Sequence, residues 1–508
     1  MTRIIAIGIG GSGAKCIESL SFVHSIGLLG SATLGTLLID ADAANGNGDR
    51  TSRRLALAEK LHTNFSEGTS SFAQGDFHNF GIWNPLKDIE NSTNLSSIFK
   101  RESMRSSNPE LAYLMDYLYT AEERSADLKV GFRGKPPIGA AIMGRVNSND
   151  LGTAEDSVWS KIYDFIEVGI RDGGNKEPVI IHLFGSIFGG TGAAGVPTIG
   201  RLIDDELKVR GLRDCARVCA TPLLPYFSFA KPEDDQCSVF AESQLFGINS
   251  QAALDYFTEH SEGVFDCVYL IGNTQRTDYK PATGGALQNN NSHFIELYAA
   301  LSAAHSLEHG SVNNLTVSYI SRQSSSKILW SDLPPGVTSK SCVEYFQKAV
   351  LLSSSWYFNF SLELDSAIAL GARKFCKGAP WFIRFYSLSK SGNSSRPSIT
   401  NKSQIEQAKI LTMWSLEFLI WASQISLSGG NGEELFGLSK LNLKSEINSN
   451  ESRKYLNSLD GLIRDMVLPS KVNHFTIDAL KNNLADLNII NKVGTQGLAH
   501  AIFDNCPS

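Results

Sequence analysis

The stretch Phe184 to Gly195, FGSIFGGTGAAG, limits this chain more than any other. Pro178 to Leu183 before it is a nearly continuous apolar run, as in a strand buried on both faces. After it, Ile199, Leu202, Ile203 and Leu207 recur at helical spacing. The glycines therefore occupy a strand-to-helix turn. Glycine there lets backbone N–H groups approach an anion without a Cβ in the way, and the helix N-terminus adds positive dipole. Thr191 places a hydroxyl in the same turn. A turn that only packs a helix on a sheet would use the same residues, so this loop alone does not separate packing from binding.

Two further stretches bear on that choice. Ile4 to Ile7 is a short apolar strand, followed by Gly8-Ile9-Gly10-Gly11-Ser12-Gly13 and by helical spacing over Ala14 to Phe22. A second strand, Leu34 to Ile39, ends in Asp40-Ala41-Asp42. Alone, this fits a dinucleotide fold with an acid at the ribose. Asp40 and Asp42 also suit simple helix capping. The other stretch is Gly131 to Ala140, GFRGKPPIGA, where two prolines between glycines fix a rigid loop. Its Arg133 and Lys135 either face a phosphate or are solvated.

Strands alternate with helices through this half of the chain. A helix is expected over Asp156 to Ile170, a strand over Ala216 to Leu224 and a helix over Phe240 to His260. A strand over Val264 to Ile271 then ends at Gly272-Asn273, and a long helix runs from Asn291 to Leu307. This order predicts an α/β fold with a doubly wound parallel sheet, whose ligands bind at the carboxyl ends of the strands. Residues 43–130 read as a polar stretch of short helices, with one over Tyr113 to Glu123. Further on, Lys327 to Trp330 is strand-like, Tyr345 to Leu370 helical and Pro380 to Tyr386 strongly β-prone. Gln404 to Ser426 is a long helix whose Trp414, Phe418 and Trp421 form a core stripe.

Composition narrows the function classes. The net charge is −6 and no basic block stands out, which argues against DNA or an anionic membrane as main partner. The eight cysteines are scattered without a CxxC, and Cys215 and Cys219 lack a second ligand pair, so a zinc site is not expected. Reduced thiols fit a cytoplasmic protein. Arg3 precedes only a short apolar strand, unlike a signal peptide. Ile410 to Leu427 is greasy, but Glu417 and Gln424 make it a buried helix rather than a membrane span.

Taken together these motifs resemble the tubulin/FtsZ superfamily, and look most like its divergent bacterial tubulin-like branch. Gly8 to Gly13 with Ala14 matches the first phosphate loop. Ile39 to Asp42 is similar to a strand end of type N-T-D-A, with Asp40 in the threonine position. Gly134-Lys135-Pro136-Pro137-Ile138-Gly139 is similar to the loop N-P-E-I-G. Phe188 to Gly195 resembles the signature GGGTGSG, with Phe188 for the first glycine. The resemblance covers roughly residues 1–320. It implies GTP or GDP over Gly10, Gly11, Ser12, Gly13, Gly189, Gly190, Thr191 and Gly192, with Gly134 and Lys135 alongside and Asn273 at the guanine. It implies Mg2+ bound through the phosphates, with Asp40 and Asp42 candidates to hold its waters. It also implies head-to-tail self-association, because the family completes its active site with an acid from the neighbouring subunit, on a loop of type G-x-x-N-x-D. The nearest match here is Gly310 to Leu315, in which Asn313 is present and Leu315 replaces the acid, leaving Glu308 as the candidate substitute.

The expected organisation is a GTP-binding domain over 1–290 with a helical insertion at 43–130 and a core helix over 291–310. A smaller α+β domain over 311–430 and a helical extension over 431–508 follow. The expected function is a GTP-binding protein that forms filaments or oligomers and hydrolyses GTP slowly or not at all. One alternative is a nucleotide-sensing scaffold or switch acting with other proteins of a multi-component bacterial system, antiviral defence among such systems. The other is an NAD- or FAD-binding enzyme that uses the first loop only, which leaves the second glycine loop unexplained.

Overall fold

The structure is a computed structural model. It describes residues 2–42, 44–86, 93–152, 157–173, 178–229, 241–280, 285–308, 339–389, 395–428, 476–487 and 492–506.

Six parallel strands form the central sheet, in the order β3-β2-β1-β4-β5-β7. They are β1 (Arg3–Ile9), β2 (Thr33–Ile39), β3 (Phe77–Trp83), β4 (Val179–Ser186), β5 (Ala216–Leu223) and β7 (Cys267–Val268). A two-stranded ribbon pairs β6 (Phe227–Phe229) with β8 (Thr277–Tyr279). The apolar runs read from the sequence are the central strands, and β2 and β4 are buried along their whole length. Burial on both faces is what lets Ile, Leu and Phe follow one another without alternation.

Helices cover both faces. On one lie α1 (Gly10–Ser25), α2 (Gly46–Phe65) and α7 (Phe294–Glu308), against the Ile4, Ala6, Leu34 and Ile180 side of the sheet. On the other lie α4 (Val158–Gly173) and α5 (Gly190–Val209), against Ile5, Ile7, Leu37 and Ile181. A short helix, α3 (Pro136–Met143), leans on α5, and α6 (Phe246–His260) follows the ribbon's first strand.

Register brings the loops together. Ile9 pairs with both Ile39 and Gly185, so β1, β2 and β4 end level with one another. The chain moves outward from β1 to β2 and β3, then returns to place β4 on the other side of β1. The crevice between β1 and β4 is therefore a topological switch point, where open α/β sheets bind ligands.

The 43–130 stretch holds more of the sheet than its polarity suggests. It contains α2 and the edge strand β3, which pairs with β2. The helix expected over Tyr113 to Glu123 is two: Pro109–Leu118, and Ala121–Ser125 with a capping box at Thr120. The strand expected over Val264 to Ile271 shortens to β7 plus one bridge from Ile271 to Leu223. Lys327 to Trp330 lies outside the described residues.

From residue 339 onward the described residues hold helices and no strand. The main ones are α8 (Ser339–Ser355), α9 (Lys402–Leu427) and α10 (Gly494–Asn505). The β-prone run Pro380 to Tyr386 contains a helical turn, Phe382–Phe385. Packing overrides propensity here, because Trp381, Phe382, Phe385 and Tyr386 are all buried among other aromatic rings such as Phe360 and Phe375. By length and composition α9 is apolar enough to cross a membrane, at a mean hydropathy of 1.3, but two thirds of that window is buried inside the protein. Its Trp414, Phe418 and Trp421 pack around Phe22 of α1, with Trp421 at 5.0 Å between ring centroids.

Behind the first glycine loop, α1 carries buried charges. Lys15 Nζ lies 2.5 Å from Glu296 Oε1 on α7, and Tyr226 donates to that same oxygen at 2.7 Å. Glu18 accepts from Arg50 and Arg54 of α2, both at 2.8 Å, and from the Ser292 hydroxyl. Arg54 also reaches Glu417 of α9 at 2.8 Å. Burial alone would raise the Glu18 carboxyl, but the two guanidinium groups hold it down at about 2.

Candidate anion-binding cleft

At the switch point lies a cleft, partly open to solvent. Its floor is built from the starts of two long helices. α1 begins at Gly10 directly after β1, and α5 begins at Gly190 after the bend that follows β4. Neither has a side chain capping its first turn, and neither carries an acid there. By contrast α2 is capped by Asn45, whose side chain accepts from Asn47 N, and holds Asp49 in its first turn. Uncapped N-termini leave backbone N–H groups without partners and a positive dipole end directed into the cleft.

Glycine is required at this floor for different reasons. Gly10 has φ +73°, and a Cβ there would meet Thr191 Cβ at 3.1 Å, so the two loops nearly touch. A Cβ at Gly192 would sit 2.5 Å from Ser186 O. Gly10, Gly11, Ser12, Gly189, Gly190, Thr191 and Gly192 all line the cleft. Gly13 does not. Its added Cβ would fall 2.4 Å from Phe184 O, so its role is to seat α1 flush against β4. The Ser12 and Thr191 hydroxyls have no hydrogen-bond partner among the described residues.

One wall comes from the Gly131 to Gly134 loop. Gly134 lines the cleft, as do Phe132 and Arg133. Arg133 holds a left-handed backbone at φ 51°, and its buried Nε has no partner among the described residues. Its Nη2 donates weakly to Asp127 O at 3.5 Å. A strained, incompletely bonded cation at the rim is suited to an anion. Lys135, expected beside it, points elsewhere: its Nζ pairs with Glu242 at 2.9 Å, and it does not line the cleft.

The opposite wall carries Asp40, Asp42, Asn45 and Gln288. Asp40 accepts from Asp42 N and from Asn45 Nδ2, both at 3.2 Å. Burial, with Asp42 nearby, raises its carboxyl to about 7 despite those hydrogen bonds. Asp42 is committed to structure. One oxygen accepts from Ala44 N at 3.0 Å and the other from Gly285 N at 2.7 Å, tying the loop after β2 to the segment before α7. Of the two acids expected as candidates to hold a metal's waters, Asp42 thus has both oxygens engaged by backbone N–H groups. Among the described residues no cluster of three His, Cys, Asp or Glu side chains could hold a metal unaided. One carboxylate beside an anion cradle does suit Mg2+, which pairs one or two carboxylates with phosphate oxygens. Phe188, Phe227, Phe229 and Phe246 supply an apolar face.

Three further residues expected at the site are absent from the cleft lining or lie outside the described residues. Asn273 is not at the cleft. Its amide folds back onto Gln275, donating to that carbonyl at 2.7 Å. Glu308 is the last residue of α7, 14 residues and about 20 Å of helical rise beyond its start. Asn313 lies outside the described residues. Asn45 and Gln288 went unnoticed in the sequence. Asn45 carries a cap signal, Asn-Gly ahead of the helical stretch, but Gln288 sits in a polar loop with no motif to mark it.

No protein-family model matches the chain, and no curated protein does. Among solved structures, the chain is similar to CetZ2 from Haloferax volcanii, described as a GTPgS-bound protofilament, at 15% identity and a TM-score of 0.27. That likeness covers 60% of this chain and 58% of the other. CetZ from Methanosaeta thermophila is similar at 12% identity and a TM-score of 0.22, over 60% of this chain and 52% of that one. The chain therefore spans less than two thirds of either structure's length, and at these scores the likeness decides nothing about function.

Proposed function

We propose that the chain binds a guanine nucleoside triphosphate in the β1–β4 cleft, as a tubulin/FtsZ-like protein that associates with copies of itself. The carrying observation is the convergence of two long, uncapped helix N-termini on one cleft. A dinucleotide fold uses one such terminus for its pyrophosphate. A second, with Thr191 and Arg133 beside it, suits a longer run of phosphate charge. The motif resemblance adds guanine and the triphosphate. Mg2+ would compensate charge between phosphate oxygens, and Asp40 would hold its waters.

Turnover is expected to be slow and to need a neighbour. Phosphoryl transfer rests on positioning a water and stabilising charge. Among the described residues the acids lining the cleft are Asp40, proposed for the metal, and Asp42, committed to the loop. Glu308, at the far end of α7, is the acid proposed to act on another subunit's nucleotide. Contacts of this head-to-tail kind propagate into filaments. If no hydrolysis accompanies binding, the protein is a nucleotide-dependent scaffold or switch.

The test is to identify the nucleotide that copurifies and to follow phosphate release against protein concentration. GTP or GDP is expected, with specific activity that rises with concentration and falls in Glu308→Ala. Gly190→Val should reduce GTP affinity by a hundredfold or so, because its Cβ would stand 2.7 Å from Phe132 Cβ and displace the Gly131 to Gly134 wall. Normal GTP binding by that variant, or NADH binding without GTP binding, would sink the proposal.

A further inference from the structure

Resting on the reading of the cleft as a guanine-nucleotide site, we infer that Gln288 is the side chain that reads the base. A base edge needs a donor and an acceptor held side by side, which a side-chain amide supplies. Among the described residues the cleft is lined by two side-chain amides, Asn45 and Gln288. Asn45 is spent at both ends: Nδ2 donates to Asp40 and Oδ1 accepts from Asn47 N at 3.0 Å. Asn273 is spent on Gln275 and lies off the cleft. Gln288 is half-buried, and its amide has no hydrogen-bond partner among the described residues.

Its backbone is held firmly all the same. Asn47 N donates to Gln288 O at 2.9 Å, and Asn290 N donates to Asn47 Oδ1 at 2.8 Å. Arg50 adds bonds to Asn289 Oδ1 and Asn290 O, at 2.6 and 2.7 Å. A free amide on a clamped segment gives up little entropy when it binds. Phe227 and Phe229 line the same cleft and give a base an apolar face to lie against.

The chemistry fits guanine. Nε2–H donates to O6 while Oε1 accepts from N1–H. A glutamine turned over would pair adenine's N6–H and N1 in the same way, so Gln288 separates the two purines only modestly. A carboxylate at that position accepts only, suits guanine's N1–H and N2–H, and opposes adenine's N1.

The test is calorimetry on the full chain with Mg–GTP, Mg–ATP and inorganic tripolyphosphate, for wild type, Gln288→Leu and Gln288→Glu, with unfolding of each nucleotide-free protein as a control. Gln288→Leu is expected to weaken GTP about tenfold, leave tripolyphosphate within twofold and bring the GTP-to-ATP ratio toward one. Gln288→Glu is expected to raise that ratio. GTP affinity within twofold of wild type in Gln288→Leu overturns the inference alone. Parallel loss of tripolyphosphate also overturns it, since the residue would then be shaping the cleft rather than reading the base. Wild type that binds none of the three ligands overturns the nucleotide reading itself.

Discussion

The first turn of α1 and the turns that follow it treat polar groups in opposite ways. At its start, Gly10 to Ser12 present uncapped N–H groups and an unpartnered hydroxyl to a cleft that also holds the orphaned Nε of Arg133. One turn further on, Lys15 and Glu18 are 2% and 0% exposed, and both have an opposite charge in contact. Burial makes an unpaired charge costly, so the rear network is saturated and acts as a fastener between α1, α2, α7 and α9. The front tolerates unmet groups because it is open to water and to a ligand. A polar cluster that is already satisfied is architecture, and one that is not is a candidate site.

The largest expected effect breaks the fastener. Glu18→Gln leaves Arg50 and Arg54 buried with too little negative charge, and should cost about 3–5 kcal/mol of unfolding free energy in denaturant titration. In the unfolded chain this carboxyl titrates near 4.5 and in the fold near 2. Its contribution is therefore complete above pH 4.5 and is lost as pH falls toward 2. His24 and His62, kept neutral by burial, also destabilise the fold in acid, so the informative quantity is the difference between wild type and variant across pH. A variant as stable as wild type would mean that the network fastens nothing.

Arg133→Gly tests the front. It should weaken GTP about tenfold by removing a charge-assisted contact. The nucleotide-free protein should unfold at the same or a slightly higher temperature, because glycine accepts the left-handed backbone at φ 51° without strain. Lost stability with unchanged affinity would place Arg133 with the architecture instead.

Asp40 gives a smaller effect whose sign depends on the metal. Its carboxyl, near 7, is neutral below that pH and charged above it. Without Mg2+, GTP affinity should fall a few-fold from pH 6 to 8 as the new charge faces the phosphates. With Mg2+ the slope should reverse, and Asp40→Asn should flatten both. Because the unfolded carboxyl titrates near 3.8, the nucleotide-free fold should itself lose stability as pH rises from about 4 through 7.

Lys135→Ala carries the smallest effect, a change in GTP affinity within about twofold, since the ammonium is engaged in a partly exposed pair with Glu242. A tenfold loss would return Lys135 to the phosphate side and weaken the contrast between satisfied and unsatisfied polar groups.

The residues that sequence reasoning located share a property. Gly10, Gly11, Gly190 and Thr191 lie in strand–glycine–helix units, where local geometry and role coincide. Lys135 and Asn273 were expected from a loop pattern alone, and each is captured by a neighbour, Glu242 or Gln275, that no pattern specifies. Propensity favours a strand over the aromatic run Pro380 to Tyr386, whereas burial among other rings makes Phe382–Phe385 a helical turn.

By itself the sequence determined the parallel α/β sheet, the two glycine turns at its strand ends, and the core role of Trp414, Phe418 and Trp421, since each follows from spacing and steric need over a few residues. Only the tertiary structure decided which groups those turns would face. It spent Asp42 on Gly285, hid Gly13 under β4 and brought Gln288 beside Asn45, from more than 240 positions away in the chain. Contacts of that span depend on how helices and strands pack, which local periodicity does not encode.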